Sequence, residues 1–587
     1  MRYGGDHEID DTKGLLMRAA RLGRHLRRAA LWALFVTIIA TVARLLGPIV
    51  VGSGVDEGIA AGDKRAITIA SLVFLGLLAV QYWAQRVSQF AVANVGERFL
   101  LELRSRVFNH LTRLDMAFYD GAKTGVLVSR MTSDIESITE FTNQGAVLAL
   151  TNLLTTIGVA VAMLLLDLQM ALAVFVVIGV VVLVSVLFQR HVSRAYQQVR
   201  ESIGRVLASL QEGITGVRVV QAFTQETEQA ASFGRINETY FEANMTAARA
   251  ISWYFPAINF LRTVGLGVVL LLGGRRVISG DLTFGSLVAF TLYLNWFFEP
   301  IVNLANVYNL AQASLAALAK LFQLLDVAPK VQERPDALEL PDTVDGALAL
   351  EAVGFGYGDD LILEDFTLDV PPGQRLAVVG ETGAGKSTVA KLLMRFYDPS
   401  RGAVRIDGID LRDLSFSSRA EAIALIPQDG FLFDGTLRDN FRYAVPEAPD
   451  QAIWDVCRAM GIDEWVRSLP EGLDTEVRER GSRFSAGERQ LVALGRAFLA
   501  DPAVVVLDEA TSNLDPETEV QVEGALRVLL AERTAVVIAH RLRSAERADR
   551  VVMVDAGRII ADGSHDALVE TSDRYRELVE VWERGVA

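Results

Sequence analysis

Six apolar runs in the first half of the chain most constrain how this sequence can fold. They span residues 31–51, 66–82, 146–166, 170–188, 251–273 and 282–302. Each is close to the roughly 20 residues that a membrane-spanning helix requires. The 587-residue chain is 51% hydrophobic with a mean hydropathy of +0.29, which is high for a soluble protein. The runs therefore predict an all-α membrane domain with six spans, rather than buried helices of a large soluble core.

Charge next to the first run predicts how the domain is oriented. Five arginines lie within the 13 residues before that run: Arg18, Arg21, Arg24, Arg27 and Arg28. The first outer loop, 52–65, is short and carries both signs of charge. The positive-inside rule then places the N-terminus in the cytoplasm, and an even number of spans returns the C-terminus to the same side. Segment 14–28 is a candidate surface helix, and no cleaved signal peptide is expected.

Two polar connections, 86–143 and 189–250, have helical periodicity and contain no proline. They predict that the spanning helices continue far into the cytoplasm. Each contains a turn-like stretch, Phe118-Tyr119-Asp120-Gly121 in the first and Gly213-Ile214-Thr215-Gly216 in the second. We expect these tips to dock on a cytoplasmic domain, the alternative being an ordinary turn between helices.

The composition changes near residue 326, where prolines and charges predict a linker. Short apolar strands then alternate with helical segments, as in an α/β domain with a mostly parallel sheet. We therefore predict a transmembrane domain over 1–325, a linker over 326–346 and an α/β domain over 347–587. The single cysteine, Cys457, permits neither an intrachain disulfide nor a multi-cysteine metal site. The net charge of -15 argues against a nucleic-acid partner.

The stretch Gly380-Glu381-Thr382-Gly383-Ala384-Gly385-Lys386-Ser387-Thr388 fits the phosphate-loop pattern G-x-x-x-x-G-K-[ST]. It follows an apolar strand and opens a helical run, which is the context that the motif needs. Backbone N–H groups of such a loop and the helix N-terminus attract polyphosphate. Lys386 is placed to reach the β- and γ-phosphates, and Ser387 to offer its hydroxyl to Mg²⁺. The sequence thus predicts a nucleoside triphosphate site.

A second buried strand supplies two carboxylates. The run Val504-Val505-Val506-Leu507 is followed directly by Asp508 and Glu509. Downstream of a phosphate loop, the first carboxylate is expected to hold Mg²⁺ and the second to act as general base toward an attacking water.

Further motifs, in their order along the chain, resemble those of the ATP-binding cassette (ABC) transporters. The family signature is matched by Phe484-Ser485-Ala486-Gly487-Glu488, and the X-loop of exporter-type members is matched by Glu476-Val477-Arg478-Glu479-Arg480-Gly481. The D-loop is matched by Ser512-Asn513-Leu514-Asp515 and the Q-loop by Gln428. His540 resembles the switch histidine, and Tyr357 resembles the aromatic residue on which adenine stacks. With six spans ahead of the cassette, the chain resembles an exporter-type half-transporter.

The resemblance implies a role for each matched residue. Tyr357 would stack on adenine, Gln428 would sense Mg²⁺, and His540 would contact the γ-phosphate. The residues alone leave an alternative for each: Tyr357 could be an aromatic packed in the core, Gln428 a surface amide and His540 a hydrogen-bonded core histidine. In the family, the signature of one cassette caps ATP on another, so Ser485 and the Gly487 N–H would meet the partner's nucleotide. Two chains are therefore implied.

The signature departs from the family's usual Leu-Ser-Gly-Gly-Gln at Ala486 and Glu488. A methyl group at Ala486 limits backbone approach to phosphate, and the Glu488 carboxylate is expected to repel it. In heterodimeric members of the family, one subunit keeps the catalytic glutamate but has an altered signature, and the other keeps the signature but has lost the glutamate. This chain resembles the first kind, so we favour a heterodimer with one strong and one weak hydrolytic site. The alternative is a homodimer in which the signature has drifted without consequence.

Polar groups also fall in or near the predicted spans, namely Arg44, Arg262 and Glu299. They predict an ion pair or a substrate pathway, with snorkelling at span ends as the alternative. Six aromatics, Trp253 to Phe255 and Trp296 to Phe298, are candidates either for a substrate cavity or for interfacial and lipid-facing positions.

The leading interpretation is ATP-driven export of a lipid, drug or peptide across the cytoplasmic (inner) membrane, in contact with membrane lipids. An ATP-gated channel, a regulatory membrane subunit and an importer of the same architecture remain alternatives.

Overall fold

The computed structural model describes residues 12–358, 360–508, 516–539 and 541–584. These residues form two compact units. One holds residues 12–112 and Thr124–Asp326, and the other holds Arg113–Lys123 and the described chain from Val327 onward. Segment Arg113–Lys123 comes from the connection between the second and third predicted spans, yet it belongs to the unit formed by the second half of the chain.

The first unit is entirely helical. Its α-helices are Thr12–Leu22, Arg27–Ser53, Lys64–Leu111, Thr124–Ser129, Ile135–Glu140, Ala146–Leu166, Leu168–Thr215, Val217–Ala222, Glu226–Ser279 and Phe284–Leu325. A 3₁₀ turn spans Gly23–Leu26, and π-helical turns span Gly54–Ala60, Arg130–Asp134 and Phe141–Gly145.

Five stretches of described residues are long and apolar enough to cross a membrane. They are Thr12–Ala60, Lys64–Leu111, Thr124–Leu166, Leu168–Phe188 and Glu226–Ser279. The sixth predicted run, 282–302, lies in helix Phe284–Leu325, which is not among these stretches, so a sixth span remains a prediction. Helix Lys64–Leu111 has 48 residues and is therefore about 72 Å long, against a hydrocarbon core of about 30 Å. The predicted extension of helices beyond the bilayer is confirmed.

Two contacts join the start of helix Phe284–Leu325 to the end of helix Arg27–Ser53 and to the π-helical turn Gly54–Ala60 that follows it. A Cβ at Gly285 would lie 2.0 Å from the carbonyl oxygen of Gly52, so the two backbones touch. The Gly285 N–H also donates to Asp56 Oδ1 at 2.6 Å, which satisfies an otherwise free donor in the first turn of helix Phe284–Leu325. Close packing here depends on the absence of both side chains.

The polar residues in the predicted spans behave differently from one another. Arg44 donates to Glu299 at 2.7 Å, and its guanidinium carbon lies 4.9 Å from the centroid of the Trp296 ring. Of the predicted ion pair and substrate pathway, the structure shows the ion pair. Arg262 is exposed in the chain. The aromatics also divide, because Trp253 is 81% exposed whereas Phe298 is 3% exposed. Trp253 and Phe298 therefore lie in different environments.

The second unit is an α/β domain, as predicted. Its strands are β1 (Leu348–Tyr357), β2 (Asp360–Val370), β3 (Arg375–Val379), β4 (Arg401–Ile406), β5 (Ile409–Asp410), β6 (Ile423–Ile426), β7 (Val504–Asp508), β8 (Thr534–Ile538), β9 (Arg550–Asp555) and β10 (Arg558–Gly563). An antiparallel sheet has the order β2-β1-β4-β5, and a second sheet has the order β10-β9-β3-β8-β7-β6. In the second sheet, β10 is antiparallel to β9 and the other pairs are parallel.

The second unit also contains eleven α-helices among its described residues. The α-helices are Met116–Gly121, Lys386–Leu393, Phe416–Ala422, Leu437–Phe441, Asp450–Ala459, Asp463–Ser468, Ala486–Ala500, Pro516–Leu529, Leu542–Glu546, His565–Thr571 and Asp573–Glu583. The 3₁₀ turns are Leu411–Asp413, Gly472–Asp474 and Glu479–Gly481. Cys457 is 0% exposed in the core beside helix Ala486–Ala500, where burial raises the pKa of its thiol to about 12.

Candidate functional site

The phosphate-loop sequence lies at the carboxyl end of β3, between a buried strand and helix Lys386–Leu393. Strand residues Leu376 to Val379 are 0% exposed, which fixes the strand in the middle of the parallel sheet. In open parallel sheets, ligands bind beyond the carboxyl ends of the strands. The loop therefore stands where the fold places a ligand, with a helix N-terminus directed at it.

Glycine is required at two positions of this loop. Gly380 has a φ of +146°, and a Cβ there would lie 2.1 Å from the Val554 carbonyl oxygen. Gly385 has a φ of +108°, and its Cβ would meet the Leu363 side chain at 2.9 Å. At Gly383, by contrast, a Cβ would have nothing within 4 Å. The loop is thus held tightly at Gly380 and Gly385 and is open at Gly383, where a polyphosphate has room to approach the backbone.

The polar side chains of the loop fall into a buried and an exposed set. Lys386 is 5% exposed, and its Nζ donates to the carbonyl oxygens of Gly380 at 2.7 Å and Glu381 at 2.9 Å. Thr388 is also buried, whereas Thr382 and Ser387 are exposed. The Lys386 ammonium therefore sits inside the curve of the loop, and the Ser387 hydroxyl is accessible to a ligand.

The residues predicted to hold Mg²⁺ share one edge of the sheet. Asp508 ends β7, Gln428 follows β6 after Pro427, and Ser387 follows β3. Because these strands are parallel, their carboxyl ends lie at the same edge. Carboxylate, amide and hydroxyl oxygens are donors that Mg²⁺ accepts together with phosphate oxygens and water. The donor set fits the ion.

Several predicted site residues lie outside the described residues. These are Glu509, His540 and Asp515, together with the rest of the predicted D-loop. Their positions along the chain follow strands that are described, since β7 ends at Asp508 and β8 at Ile538. Their predicted roles remain predictions.

Tyr357 packs against the first turn of helix Lys386–Leu393. It is 37% exposed at the end of β1, and its hydroxyl lies 3.4 Å from Thr388 Oγ1. Its ring packs edge-on against Phe355 and Tyr397, with ring centroids 5.1 and 5.3 Å apart. The ring is thus supported from behind and still accessible, as a base-stacking platform must be.

The signature sequence forms the start of helix Ala486–Ala500. Ser485 is the exposed N-cap, and its Oγ accepts from the Glu488 N–H at 3.2 Å. In return, Glu488 Oε2 accepts from the Ser485 N–H at 2.7 Å, which completes a capping box. Glu488 Oε1 accepts from Trp465 Nε1 at 2.8 Å. The Glu488 carboxylate, which the sequence predicts to repel phosphate, thus accepts hydrogen bonds from two donors of its own chain.

The Q-loop is attached to this same helix. A Cβ at Gly430 would lie 2.7 Å from the Arg489 carbonyl group, and Gln490 Nε2 donates to the Pro427 carbonyl oxygen at 3.1 Å. Gln490 is 2% exposed and was not predicted as a site residue. No local motif marks it, because its partner is 63 residues away along the chain.

Segment Arg113–Lys123 packs beside the phosphate-loop helix. Asp115 caps helix Met116–Gly121 by accepting from the Phe118 N–H at 3.1 Å. At the other end, Asp120 Oδ2 accepts from Tyr397 Oη at 2.6 Å and from Lys391 Nζ at 2.9 Å. The predicted docking of the first connection on the domain formed by the second half of the chain is confirmed. The second tip, Gly213 to Gly216, lies in the helical unit, and its docking remains a prediction.

Electrostatics support this contact. Burial opposes ionisation of Asp120, but the hydrogen bonds from Tyr397 and Lys391 outweigh it and lower the pKa of the carboxyl group. Burial likewise opposes the charge on Lys391, and its hydrogen bond to Asp120 raises the pKa of the amine nonetheless. Lys391 Nζ also lies 5.4 Å from the centroid of the Tyr357 ring. The docked segment therefore reaches the predicted adenine-stacking residue through one intervening side chain.

Comparisons with known proteins agree with this architecture. A model of the ABC transporter transmembrane region matches residues 31–301, and an ABC transporter model matches residues 363–512. The uncharacterised ABC transporter ATP-binding protein YknV of Bacillus subtilis is 36% identical over 556 residues, which cover 94% of this chain and 92% of the relative. The ATP-dependent lipid A-core flippase of Thiobacillus denitrificans is 33% identical, covering 89% and 90% of the two chains.

Two further matches extend the comparison. The multidrug efflux ATP-binding/permease protein of Mycobacterium tuberculosis is 33% identical over 95% of this chain, which corresponds to 47% of that longer relative. The structure of a bacterial Atm1-family ABC exporter with ATP bound matches with a TM-score of 0.77 and 27% identity, covering 96% of this chain and 99% of the other.

The chain therefore belongs to the ABC transporters. It has the exporter-type half-transporter architecture, with one multi-pass membrane domain fused to one ATP-binding domain. It is an ATPase coupled to transmembrane transport.

Proposed function

We propose that this chain exports a hydrophobic or amphipathic compound (a lipid, drug or peptide) across the cytoplasmic membrane as one half of a dimer. The observation that carries the proposal is the contact of Asp120 with Lys391, on the helix that begins with the phosphate-loop lysine, and with Tyr397, which lies shortly after that helix. It connects a segment continuous with the membrane helices to the nucleotide site. Energy released at that site thereby has a physical route toward the spans.

Within the ATP site, each residue has a proposed task. Bound Mg²⁺–ATP supplies the phosphoanhydride bond and neutralises charge on its phosphates. Lys386 and the N–H groups of Gly380, Thr382, Gly383 and Gly385 orient the phosphates, while Ser387, Gln428 and Asp508 hold the ion. Glu509 takes a proton from the attacking water, and His540 donates a hydrogen bond toward the γ-phosphate. Tyr357 stacks on the adenine.

Outward transport of an apolar compound is supported by the relatives. One is named a multidrug efflux protein and another a lipid A-core flippase. The inner-membrane location with cytoplasmic termini rests on the arginines ahead of the first span.

The test is ATP-driven transport by purified protein in liposomes whose cassettes face the bath. We expect a lipid or dye substrate to accumulate inside only when Mg²⁺ and ATP are added. Glu509→Gln should still bind ATP while turnover falls about 10²- to 10⁴-fold, because proton abstraction is lost. ATP-dependent movement of the substrate only down its concentration gradient would instead indicate a channel. ATP turnover of Glu509→Gln near the unmodified level would refute the role of Glu509 as general base.

The dimer has its own test. Ser485 is exposed at the start of its helix, where it is free to meet nucleotide on a second cassette. The heterodimer prediction gains no support from the relatives, and the capping box explains Glu488 without a weak site. We would measure the native mass and composition of the complex recovered from host membranes. A complex with a second, different half-transporter would establish the heterodimer, a complex of two identical chains the homodimer, and a single chain would refute both.

A further inference from the structure

A cavity of about 310 Å³ lies in the ATP-binding unit, away from the phosphate loop. Helices Pro516–Leu529 and Leu542–Glu546 and the residues that follow them form its walls. Its volume is at the lower end of the range for small-molecule sites. None of the residues assigned above to ATP or Mg²⁺ lines it.

The floor of the cavity is apolar. Leu507 of β7 and Val537 of β8 come from neighbouring strands, and Leu526 and Leu530 come from the helical wall. Leu507 is 3% exposed, so this surface is part of the domain interior rather than an outer patch. An apolar group placed here would leave water, which favours binding in proportion to the apolar area that is buried.

The rim of the cavity is strongly basic. Arg375, Arg527, Arg543 and Arg547 all line it, against one lining carboxylate, Glu523. Glu523 pairs with Arg547 at 3.0 Å and more distantly with Arg543 at 4.0 Å, and Arg375 pairs with Asp549 at 2.9 Å. This concentration of positive charge stands out in a chain whose net charge is -15.

Arg527 is the arginine left for a ligand. It is exposed on helix Pro516–Leu529, and no carboxylate among the described residues lies within ion-pair distance of its guanidinium. A guanidinium presents a planar pair of donors that matches a carboxylate or phosphate group. An anionic head group at Arg527 would place its attached apolar body over the floor.

We propose that this cavity binds a small amphipathic anion, with an apolar body on Leu507, Val537, Leu526 and Leu530 and a phosphate or carboxylate group on Arg527. The site is separate from the ATP site and independent of the transported substrate. Leu507 directly precedes Asp508, so an occupant would rest against the strand that carries a predicted Mg²⁺ ligand.

The probe is 1-naphthyl phosphate, titrated calorimetrically into the full chain in lipid nanodiscs, with empty nanodiscs as the blank. Saturating ADP is present throughout so that the phosphate loop is filled. We expect Arg527→Gln to weaken binding about tenfold or more, since one charge-assisted pair is lost. Arg558→Gln removes an exposed arginine of the same unit that lies outside the cavity, and should leave binding unchanged.

Inorganic phosphate and neutral 1-naphthol separate the two halves of the proposed ligand, and each should bind at least about tenfold more weakly than 1-naphthyl phosphate. Equal binding by the Arg527 and Arg558 variants would overturn the proposal, as would the absence of any binding of 1-naphthyl phosphate to the unmodified chain while ADP fills the phosphate loop. Inorganic phosphate binding as tightly as 1-naphthyl phosphate would overturn the amphipathic class. ADP binding, measured separately, verifies that each variant is folded.

Discussion

Glu488 illustrates how a single side chain changes meaning once its partners are known. In the sequence it is a negative charge in a motif that contacts phosphate in the family. In the folded chain its two oxygens accept from the Ser485 N–H and from Trp465 Nε1. Glutamate at the third position of a helix whose N-cap is serine is a favourable capping arrangement. The residue is thus explained by local stability.

This explanation predicts how Glu488 variants behave. Glu488→Ala loses both acceptor bonds and should lower the free energy of unfolding by about 1–3 kcal/mol, because each net hydrogen bond contributes about 0.5–1.5 kcal/mol. Glu488→Gln keeps one acceptor oxygen and should lose less. The thermal unfolding midpoint of the ATP-binding unit, measured for both variants and for Trp465→Phe, checks this order. A large rise in ATPase rate in Glu488→Gln would instead favour repulsion between the carboxylate and phosphate.

At the scale of elements, the short helix Met116–Gly121 is held by contacts at both ends. Asp115 caps its start, and Asp120 binds Lys391 and Tyr397 near its end. The lowered pKa of Asp120 means that its contribution to docking is complete above the ordinary carboxyl range and is lost as the pH falls through the lowered value. The raised pKa of Lys391 means that its contribution is lost only as the pH rises through the raised value. Docking should therefore be insensitive to pH across the physiological range.

Asp120→Asn tests this contact. The Asp120–Lys391 ion pair is partly exposed, so its loss should destabilise docking of the segment by only about 1 kcal/mol. That corresponds to about a fivefold loss of protection from hydrogen exchange. Hydrogen exchange of segment Arg113–Lys123 at neutral pH measures that protection. Lys123→Gln is the matched control, because this exposed lysine makes no ion pair with any described residue. Equal exchange in the two variants would show that Asp120 does not hold the segment.

At the scale of the whole molecule, the orientation of the chain in the membrane can be tested by labelling introduced cysteines, because the native chain has a single cysteine. Cys457 is the single cysteine, and it is 0% exposed with its pKa raised to about 12 by burial. Such a thiol reacts slowly, since the thiolate is the nucleophile. A newly introduced surface cysteine will therefore dominate the labelling signal.

We predict that Ala61→Cys, in the exposed turn of the first outer loop, is labelled by a membrane-impermeant maleimide in intact cells. Gln221→Cys, exposed near the tip of the second connection, should be labelled only after the cells are permeabilised. The reverse pattern would invert the proposed topology, and unmodified protein provides the background.

The sequence by itself determined the class of protein, the helical and α/β halves and the position of the phosphate loop. These features are local. A span requires one contiguous apolar run, and the loop requires glycines at fixed spacing between a strand and a helix, so neighbouring residues suffice to specify them. The first docking tip was also recognised, because its turn interrupts a long helical pattern.

Only the tertiary structure decided which distant residues meet. It placed Arg113–Lys123 in the ATP-binding unit, joined Asp120 to Lys391 across 271 residues, and brought Gln490 to the Q-loop across 63. It also gave Glu488 a partner in Trp465 and gathered four arginines around one cavity. Such contacts depend on how separate strands and helices pack, and the sequence pattern of a single segment does not specify which distant residues it will contact.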